Sequence, residues 1–231
     1  MRSPWKCDSR VWENGDADSP LALMIAASLL LFAIFVMPEV ARKFLGERLT
    51  VPDILLFSAM PGIIAYRFFC AGKIPLKRLA LNEIVELAGI AFLLILICAG
   101  ATWLWQIVLK AVGLNFAEKQ FALTLVTRYQ GRQLIQLFFS LCVFAPIMEE
   151  LLFRRIIYGT LFRFGAGTAW LGTAMLFSFC HFFAAGLPGL FILGLVFQFV
   201  YLKYRNLTAA IFLHALFNTV SFVAVLLNIG R

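Results

Sequence analysis

Charged residues are scarce in this sequence, and their scarcity excludes most classes of soluble protein. Only 14% of the residues are charged and 62% are hydrophobic, whereas a soluble domain is about a quarter charged and roughly half apolar. The composition is that of an integral membrane protein. The net charge of +8 does not indicate a nucleic-acid partner, because the Lys and Arg residues lie between apolar runs, where they set topology and contact anionic lipid head groups.

Paired-cysteine motifs and zinc-protease motifs are also absent from the sequence. The five cysteines form no CxxC pair, so we interpret them as small core residues rather than as a disulfide framework or a zinc site. The HExxH motif of common zinc proteases is absent. Residues 1–20 are polar and carry charges of both signs. We therefore expect a polar N-terminal tail and a retained first span, not a cleaved signal peptide.

Long apolar runs are what the sequence has in abundance. A spanning helix needs about 20 mostly apolar residues. This criterion predicts an all-α polytopic transmembrane helical bundle of about seven spans, within a range of about six to eight. The predicted spans are residues 21–37, 51–70, 84–109, 133–162, 168–183, 187–204 and 207–227. Pro146 lies in the fourth of them and is expected to kink it, because proline lacks the backbone N–H.

Three regions follow from these runs. Residues 1–20 form the tail, residues 21–132 the N-terminal spans, and residues 133–228 a core of spans that carries the polar motifs described below. Within the second region, the segment at about 111–130 has apolar positions near helical spacing and predicts an amphipathic interfacial helix. Arginine and lysine residues after the fourth and sixth spans place those loops in the cytoplasm by the positive-inside rule.

A few strongly polar side chains interrupt the last four spans. A charged side chain at the bilayer centre costs about 2.5–3.5 kcal/mol on insertion scales, so such residues face the bundle interior and are often functional. Both histidines of the chain belong to this group. The group consists of Glu149, Glu150 and Arg154 in the fourth span, His181 in the fifth, Gln198 in the sixth, and His214 and Asn218 in the seventh.

Helical spacing assigns different roles to the two glutamates. Glu150 and Arg154 are four residues apart, so they lie on one helix face and can form an ion pair. Glu149 is rotated about 100° from Glu150 around the helix. Arg154 therefore neutralises Glu150, and Glu149 remains available as a general base that takes a proton from water.

The histidines occur in two further pairs at the same spacing. His214 and Asn218 share one helix face, and so do Phe177 and His181. Imidazoles, a carboxylate and an amide from three helices can converge in a bundle, where they can activate a water and stabilise an oxyanion. Glu149, His181 and His214 can alternatively ligate a divalent metal such as zinc, and this alternative stays open at the level of sequence.

These motifs together resemble a known family. "EELLFR", "FSFCH" and "HALFN" match, in order, the EExxxR, FxxxH and HxxxN/D motifs of the CAAX-protease and bacteriocin-processing (Abi) family, intramembrane proteases related to the type II CAAX prenyl endopeptidase. The resemblance covers about residues 133–227. It implies that Glu149 activates water with the help of His181, and that His214 and Asn218 stabilise the oxyanion. It implies supporting roles for Glu150, Arg154 and Phe177, in a reaction that depends on glutamate or on a metal.

The function predicted on this basis is an intramembrane endopeptidase that hydrolyses a membrane-proximal peptide bond. The expected partners are the lipid bilayer and a membrane-associated peptide or protein, with or without a lipidated C-terminus. In a bacterium we expect the inner membrane. One alternative is a non-proteolytic immunity factor or membrane scaffold. Another is a redox or transport protein, in which the histidines ligate haem or the glutamates relay protons. Gln198 lies outside the motifs and is expected to pack or to line a pore.

Overall fold

The regular structure of the protein is helical throughout the part that is described. The computed structural model describes residues 76–114, 126–181 and 183–229, and no strand occurs among them. The main helices are α1 (Leu81–Ala111), α2 (Gly131–Phe162), α3 (Ala166–Phe179), α4 (Leu187–Tyr204) and α5 (Leu207–Ile229). The prediction of an all-helical fold is confirmed for these ranges.

Four of these helices, α1, α2, α4 and α5, are long and apolar enough to cross a membrane. Helix α3 has only 14 residues and is shorter than the predicted span at 168–183, because the chain turns after Phe179. The predicted spans at 21–37 and 51–70, the polar tail and residues 115–125 of the predicted amphipathic segment lie outside the described residues. The protein is therefore a helical membrane protein with four candidate spans in its described part.

Helix α2 alternates between two helical geometries. Wider π-helical turns occupy Ser140–Phe144 and Leu151–Ile157, on either side of the α-helical segment Ala145–Glu150. A π-helical turn lies directly before Pro146, and the kink expected at this proline stays a prediction. The N–H of Ala145 bonds to the Ser140 carbonyl, five residues earlier, as in a π-helix. Pro146 has no N–H, so neither residue supplies a helical donor to the carbonyl of Leu141.

Helix α4 packs between α1 and α3, and two glycines allow the close approach. A Cβ atom added to Gly194 would lie 2.9 Å from Cα of Ala174 on α3. A Cβ atom added to Gly189 would lie 2.7 Å from Oγ1 of Thr102 on α1. The Cys98 thiol donates to the Gly189 carbonyl at 3.4 Å and adds to the α1 contact. The resulting core is centred on side chains such as Leu87, Leu94, Leu152, Phe153, Ile156, Val200 and Leu213.

Asn206, in the turn between α4 and α5, joins three parts of the chain at one end of the bundle. Its Oδ1 accepts hydrogen bonds from the backbone N–H groups of Lys77 and Thr208, both at 3.1 Å. Its Nδ2 donates to the Lys77 carbonyl at 3.1 Å. Asn206 thus holds the start of α5 and the segment that precedes α1. Nearby, Glu86 on α1 accepts hydrogen bonds from Lys203 and Tyr204 on α4.

Candidate functional site

The predicted ion pair between Glu150 and Arg154 is present and completely buried. Nε of Arg154 lies 2.7 Å from Oε2 of Glu150, and both side chains are 0% exposed. Nη1 of Arg154 donates to the Gly194 carbonyl at 3.1 Å. Two buried charges are tolerated only when they are paired and their remaining donors are satisfied. The pair therefore links α2 to the backbone of α4, next to the glycine where α3 approaches.

Aromatic rings complete the surroundings of Arg154. Its Cζ atom lies 5.4 Å from the ring centroid of Phe177 and 5.9 Å from that of Phe197. These distances are within the range in which a guanidinium is attracted to an aromatic face. Phe177, for which the motif implies a supporting role, thus contacts the guanidinium and, as described below, both histidines.

His214 is held by a carboxylate and by stacking. Its Nδ1 lies 2.9 Å from Oε1 of Glu150. Its ring stacks on Phe197, with centroids 4.6 Å apart and an angle of 27° between the planes, and the edge of Phe177 lies 6.0 Å away. Its other nitrogen, Nε2, lies 3.9 Å from Oε2 of Glu149. The imidazole is fixed in the plane that directs Nε2 towards Glu149.

His181 is held by its own helix end. The N–H of His181 donates to the Ser178 carbonyl, and its ring Nδ1 lies 2.7 Å from the carbonyl oxygen of Phe177. The i, i+4 spacing thus joins His181 to the backbone of Phe177 as well as to its ring, 4.7 Å away. Nε2 of His181 lies 3.8 Å from Oε2 of Glu149. Both imidazoles therefore direct Nε2 towards the same oxygen.

Glu149 stands apart from the ion pair, as the helical spacing predicts. Its Oε2 atom is buried and has no hydrogen-bond partner among the described residues. The separations of 3.8 and 3.9 Å from the two imidazoles are too long for direct hydrogen bonds. An unpartnered carboxylate oxygen between two imidazoles can accept a proton from a water held among the three groups.

Asn218 has a contact that the motif does not reveal. Its Nδ2 donates to the Leu141 carbonyl at 2.8 Å, which is the carbonyl that Pro146 leaves without a helical donor. The sequence signal for this contact is Pro146, five residues after Leu141. The contact also depends on the π-helical turn, which no local sequence motif predicts. Asn218 also lines the cavity described below. Its role as an oxyanion stabiliser stays a prediction.

The donor atoms of Glu149, His181 and His214 do not form a metal-ligand set as they lie. Tetrahedral zinc with nitrogen ligands at about 2.0–2.1 Å brings neighbouring ligand atoms to within about 3.3 Å of one another. The separations here are 3.8 and 3.9 Å. Among residues 76–114, 126–181 and 183–229, no group of three His, Cys, Asp or Glu side chains is arranged to hold a metal ion.

A cavity of about 480 Å³ contains these side chains. One wall is a stripe of α1 that sequence reasoning missed, although the polar residues in an otherwise apolar span were a signal. The stripe consists of Ile95, Cys98, Ala99, Thr102, Trp103 and Gln106. Trp105, on α1 but outside the stripe, donates from Nε1 to the Ala184 carbonyl at 3.0 Å and holds the segment after His181. Helix α1 therefore shapes the space in front of Glu149.

Gln198 is not among the residues that line this cavity. It is 0% exposed on α4, and its amide nitrogen and oxygen have no hydrogen-bond partner in the described part of the chain. Of the two roles expected for it, packing fits this position better than lining a pore.

Comparison with known proteins agrees with the motifs. Residues 131–220 match the model of the Rce1-like family, described as type II CAAX prenyl endopeptidase Rce1-like. No curated protein and no solved structure matches the sequence. The resemblance drawn from the three motifs is thereby confirmed over this segment, which contains every predicted site residue. A match to this family suggests peptidase activity of the CAAX type.

Proposed function

We propose that the protein is an intramembrane endopeptidase in which Glu149, assisted by His181 and His214, activates a water to hydrolyse a membrane-proximal peptide bond. The observation that carries the proposal is the convergence of Nε2 of His181 and Nε2 of His214 on the unpartnered Oε2 of Glu149, at 3.8 and 3.9 Å. The three side chains come from α2, α3 with its following turn, and α5. Their meeting in one cavity is the arrangement expected of a general base with its assisting groups.

The hydrolysis begins with the water. Glu149 takes one proton from it, the oxygen attacks the carbonyl carbon of the substrate, and the carbonyl π-electrons move to oxygen to give an oxyanion. Glu149 then delivers its proton to the amide nitrogen, the C–N bond breaks, and an acid and an amine leave. The carboxylate returns to its ionised form, so a single residue serves as base and then as acid.

The oxyanion needs hydrogen-bond donors at a fixed position. Asn218 supplies the second hydrogen of its amide, since the first is used on the Leu141 carbonyl. The second hydrogen of the water passes to Nε2 of His214 as the tetrahedral intermediate forms, the resulting Nε2–H donates to the oxyanion, and this proton leaves with the amine product when the C–N bond breaks. Both side chains line the cavity with Glu149, which supports their assignment to this step.

The walls of the cavity favour an uncharged substrate segment. Among the described lining residues, Glu149 is the only carboxylate, and no lysine or arginine is present. Most of the others are apolar, such as Leu141, Leu190, Leu193 and Phe217. A peptide segment with apolar side chains, entering from the bilayer surface, suits such walls because its burial removes apolar area from water.

The test is cleavage of a library of membrane-tethered peptides by the purified protein in lipid vesicles. The wild type is compared with Glu149→Gln, which keeps the size of the side chain and removes its basicity. We expect defined products from the wild type and a loss of about 10²-fold or more for the variant. Mass spectrometry of the products identifies the bond that is cut. Parallel reactions with a metal chelator separate the two mechanisms implied by the resemblance, and we expect resistance to the chelator.

A matched control is Glu83→Gln on α1. Glu83 accepts a hydrogen bond from the Ala80 N–H at the start of the helix, and glutamine can make the same contact. We expect this variant to cleave like the wild type. Equal cleavage by wild type and Glu149→Gln would contradict the proposed base. An absence of cleavage by the wild type across the library would contradict the enzyme assignment and favour the immunity-factor or scaffold alternative.

A further inference from the structure

The hydrogen positions on His214 follow from its partners. Nδ1 lies 2.9 Å from Oε1 of Glu150. The other oxygen of that carboxylate lies 2.7 Å from Nε of Arg154, and a carboxylate paired with a guanidinium is ionised and only accepts hydrogen bonds. The hydrogen in the contact therefore belongs to Nδ1 of His214. In the neutral imidazole, Nε2 then carries the lone pair.

We propose that Glu150 is a positioning residue that holds neutral His214 in its Nδ1–H tautomer, with the lone pair of Nε2 directed into the cavity towards Glu149. In water a neutral imidazole prefers the opposite tautomer, with hydrogen on Nε2, so the protein must impose this one. The tautomer rests on contacts within the molecule. Only its consequence for catalysis rests on the proposed function.

The carboxylate of Glu150 is itself fixed from the far side. Nε of Arg154 donates to Oε2 of Glu150 at 2.7 Å, and Nη2 donates to Oε1 at 3.4 Å. The third donor, Nη1, bonds to the Gly194 carbonyl at 3.1 Å. A continuous chain thus runs from the backbone of α4 through Arg154 and Glu150 to His214. All three side chains are buried, so water does not compete for these contacts.

The tautomer decides how a water can be held between His214 and Glu149. With hydrogen on Nε2, His214 would direct a donor towards a water between it and Oε2 of Glu149, 3.9 Å away, and could not accept a hydrogen from that water. With the lone pair there, the imidazole and the carboxylate can each accept a hydrogen from one water. His181 has the same arrangement, since its Nδ1 lies 2.7 Å from the Phe177 carbonyl, which only accepts.

The experiment uses 15N NMR of the full-length protein in detergent micelles or lipid nanodiscs, with only histidine labelled. The chain has two histidines, so with the label in the ring nitrogens alone four nitrogens give the whole spectrum, and His181→Gln assigns them. Spectra are recorded at about pH 9, well above the ordinary imidazole pKa of about 6.5. For His214 we expect a pyrrole-type shift at Nδ1 and a pyridine-type shift at Nε2. A pyrrole-type Nε2 would overturn the proposal, and this measurement needs no variant of Glu150.

Glu150→Gln tests the cause of the tautomer. The new amide oxygen must accept from the Arg154 cation, so the amide NH₂ faces Nδ1 of His214, which must then accept. We expect His214 to switch to the Nε2–H form. The shifts of His181 should stay as they are, because its partner is a backbone carbonyl, and Glu83→Gln should change neither ring. An unchanged His214 in folded Glu150→Gln would contradict the assignment to Glu150.

Activity supplies a second readout. On a peptide that the wild type cleaves, Glu150→Gln should lower kcat by about a hundredfold, because a wrong tautomer removes the function of an otherwise well-placed imidazole. KM should change by less than about twofold, since Glu150 is 0% exposed and does not line the cavity. A rise in KM at unchanged kcat would contradict a positioning role. The NMR result stands without any cleavage, so failure of the tautomer and failure of the proposed function are distinguishable.

Discussion

Arg154 carries a buried positive charge, and its removal is expected to lower the free energy of unfolding. Its guanidinium donates hydrogen bonds to the Glu150 carboxylate and to the Gly194 carbonyl. Replacing it with methionine, Arg154→Met, keeps much of the volume but leaves the Glu150 carboxylate buried without its cation. We expect the free energy of unfolding to fall by about 3–5 kcal/mol, as for other buried pairs that lose one partner. Reversible chemical unfolding in mixed micelles, followed by circular dichroism, measures the loss.

The matched control for Arg154→Met is the same substitution at Arg163. That side chain is exposed, and its guanidinium lies 4.8 Å from the ring of Phe164. An exposed cation–π contact contributes about 1 kcal/mol or less. Equal losses for the two variants would show that burial of the charge is not what makes Arg154 important to stability.

Spacing along a helix was sufficient to predict the pairing of Glu150 with Arg154 and the separate position of Glu149. It was not sufficient to predict that Glu150 also contacts His214, 64 positions away, because the rotation of α5 against α2 decides that contact. The same holds for Asn218. Its motif position was predictable, whereas its bond to Leu141 depends on a π-helical turn and on the neighbouring helix.

At the scale of helices, apolar run length predicted the bounds of α1, α2, α4 and α5 to within a few residues. This works because every backbone polar group in a bilayer must be satisfied within a helix. The early end of α3 at Phe179 was not predictable from apolarity, since the residues that follow are mostly apolar too. Contact of the following turn with α1, through Trp105 and Ala184, is a tertiary feature.

Gly194 tests the packing of α3 against α4. In Gly194→Ala the new methyl group would lie 2.9 Å from Cα and 3.1 Å from Cβ of Ala174, and a backbone atom cannot rotate away. The helices must separate, which also moves the carbonyl that holds Arg154. We expect a loss of about 1–3 kcal/mol in the free energy of unfolding. Gly100→Ala on α1 is the control, because among the described residues no atom beyond its own stretch of helix lies within 4 Å of its added Cβ.

The two glycine variants should have different effects on the free energy of unfolding. Ala is a better helix former than Gly by about 1 kcal/mol, so Gly100→Ala should be neutral or slightly stabilising in the same unfolding experiment. If Gly194→Ala behaves in the same way, then the contact with Ala174 adjusts at little cost and the close approach of α3 and α4 does not limit stability.

For the molecule as a whole, the cavity is lined by two parts of the chain, of which only one carries motifs that can be recognised in the sequence. Residues 131–220 match a known family and contain the predicted site residues, while α1 lies outside that segment and forms the facing wall. No motif marks α1, because a cavity wall needs only side chains of suitable size at helical spacing. Substrate selection is therefore a property that we expect to reside partly in α1.

Ala99→Phe tests this wall. Ala99 lines the cavity, and a phenyl group there would occupy space in front of Glu149. We expect kcat/KM for a peptide that the wild type cleaves to fall by about tenfold or more, because small displacements of a substrate from the reacting groups have large effects. Stability and the 15N shifts of both histidines should stay unchanged. Ala88→Phe is the control, since Ala88 is an exposed residue of the same helix that does not line the cavity. Full cleavage by Ala99→Phe would mean that the substrate reaches Glu149 without passing α1, and the selecting surface would then lie on α2, α4 or α5.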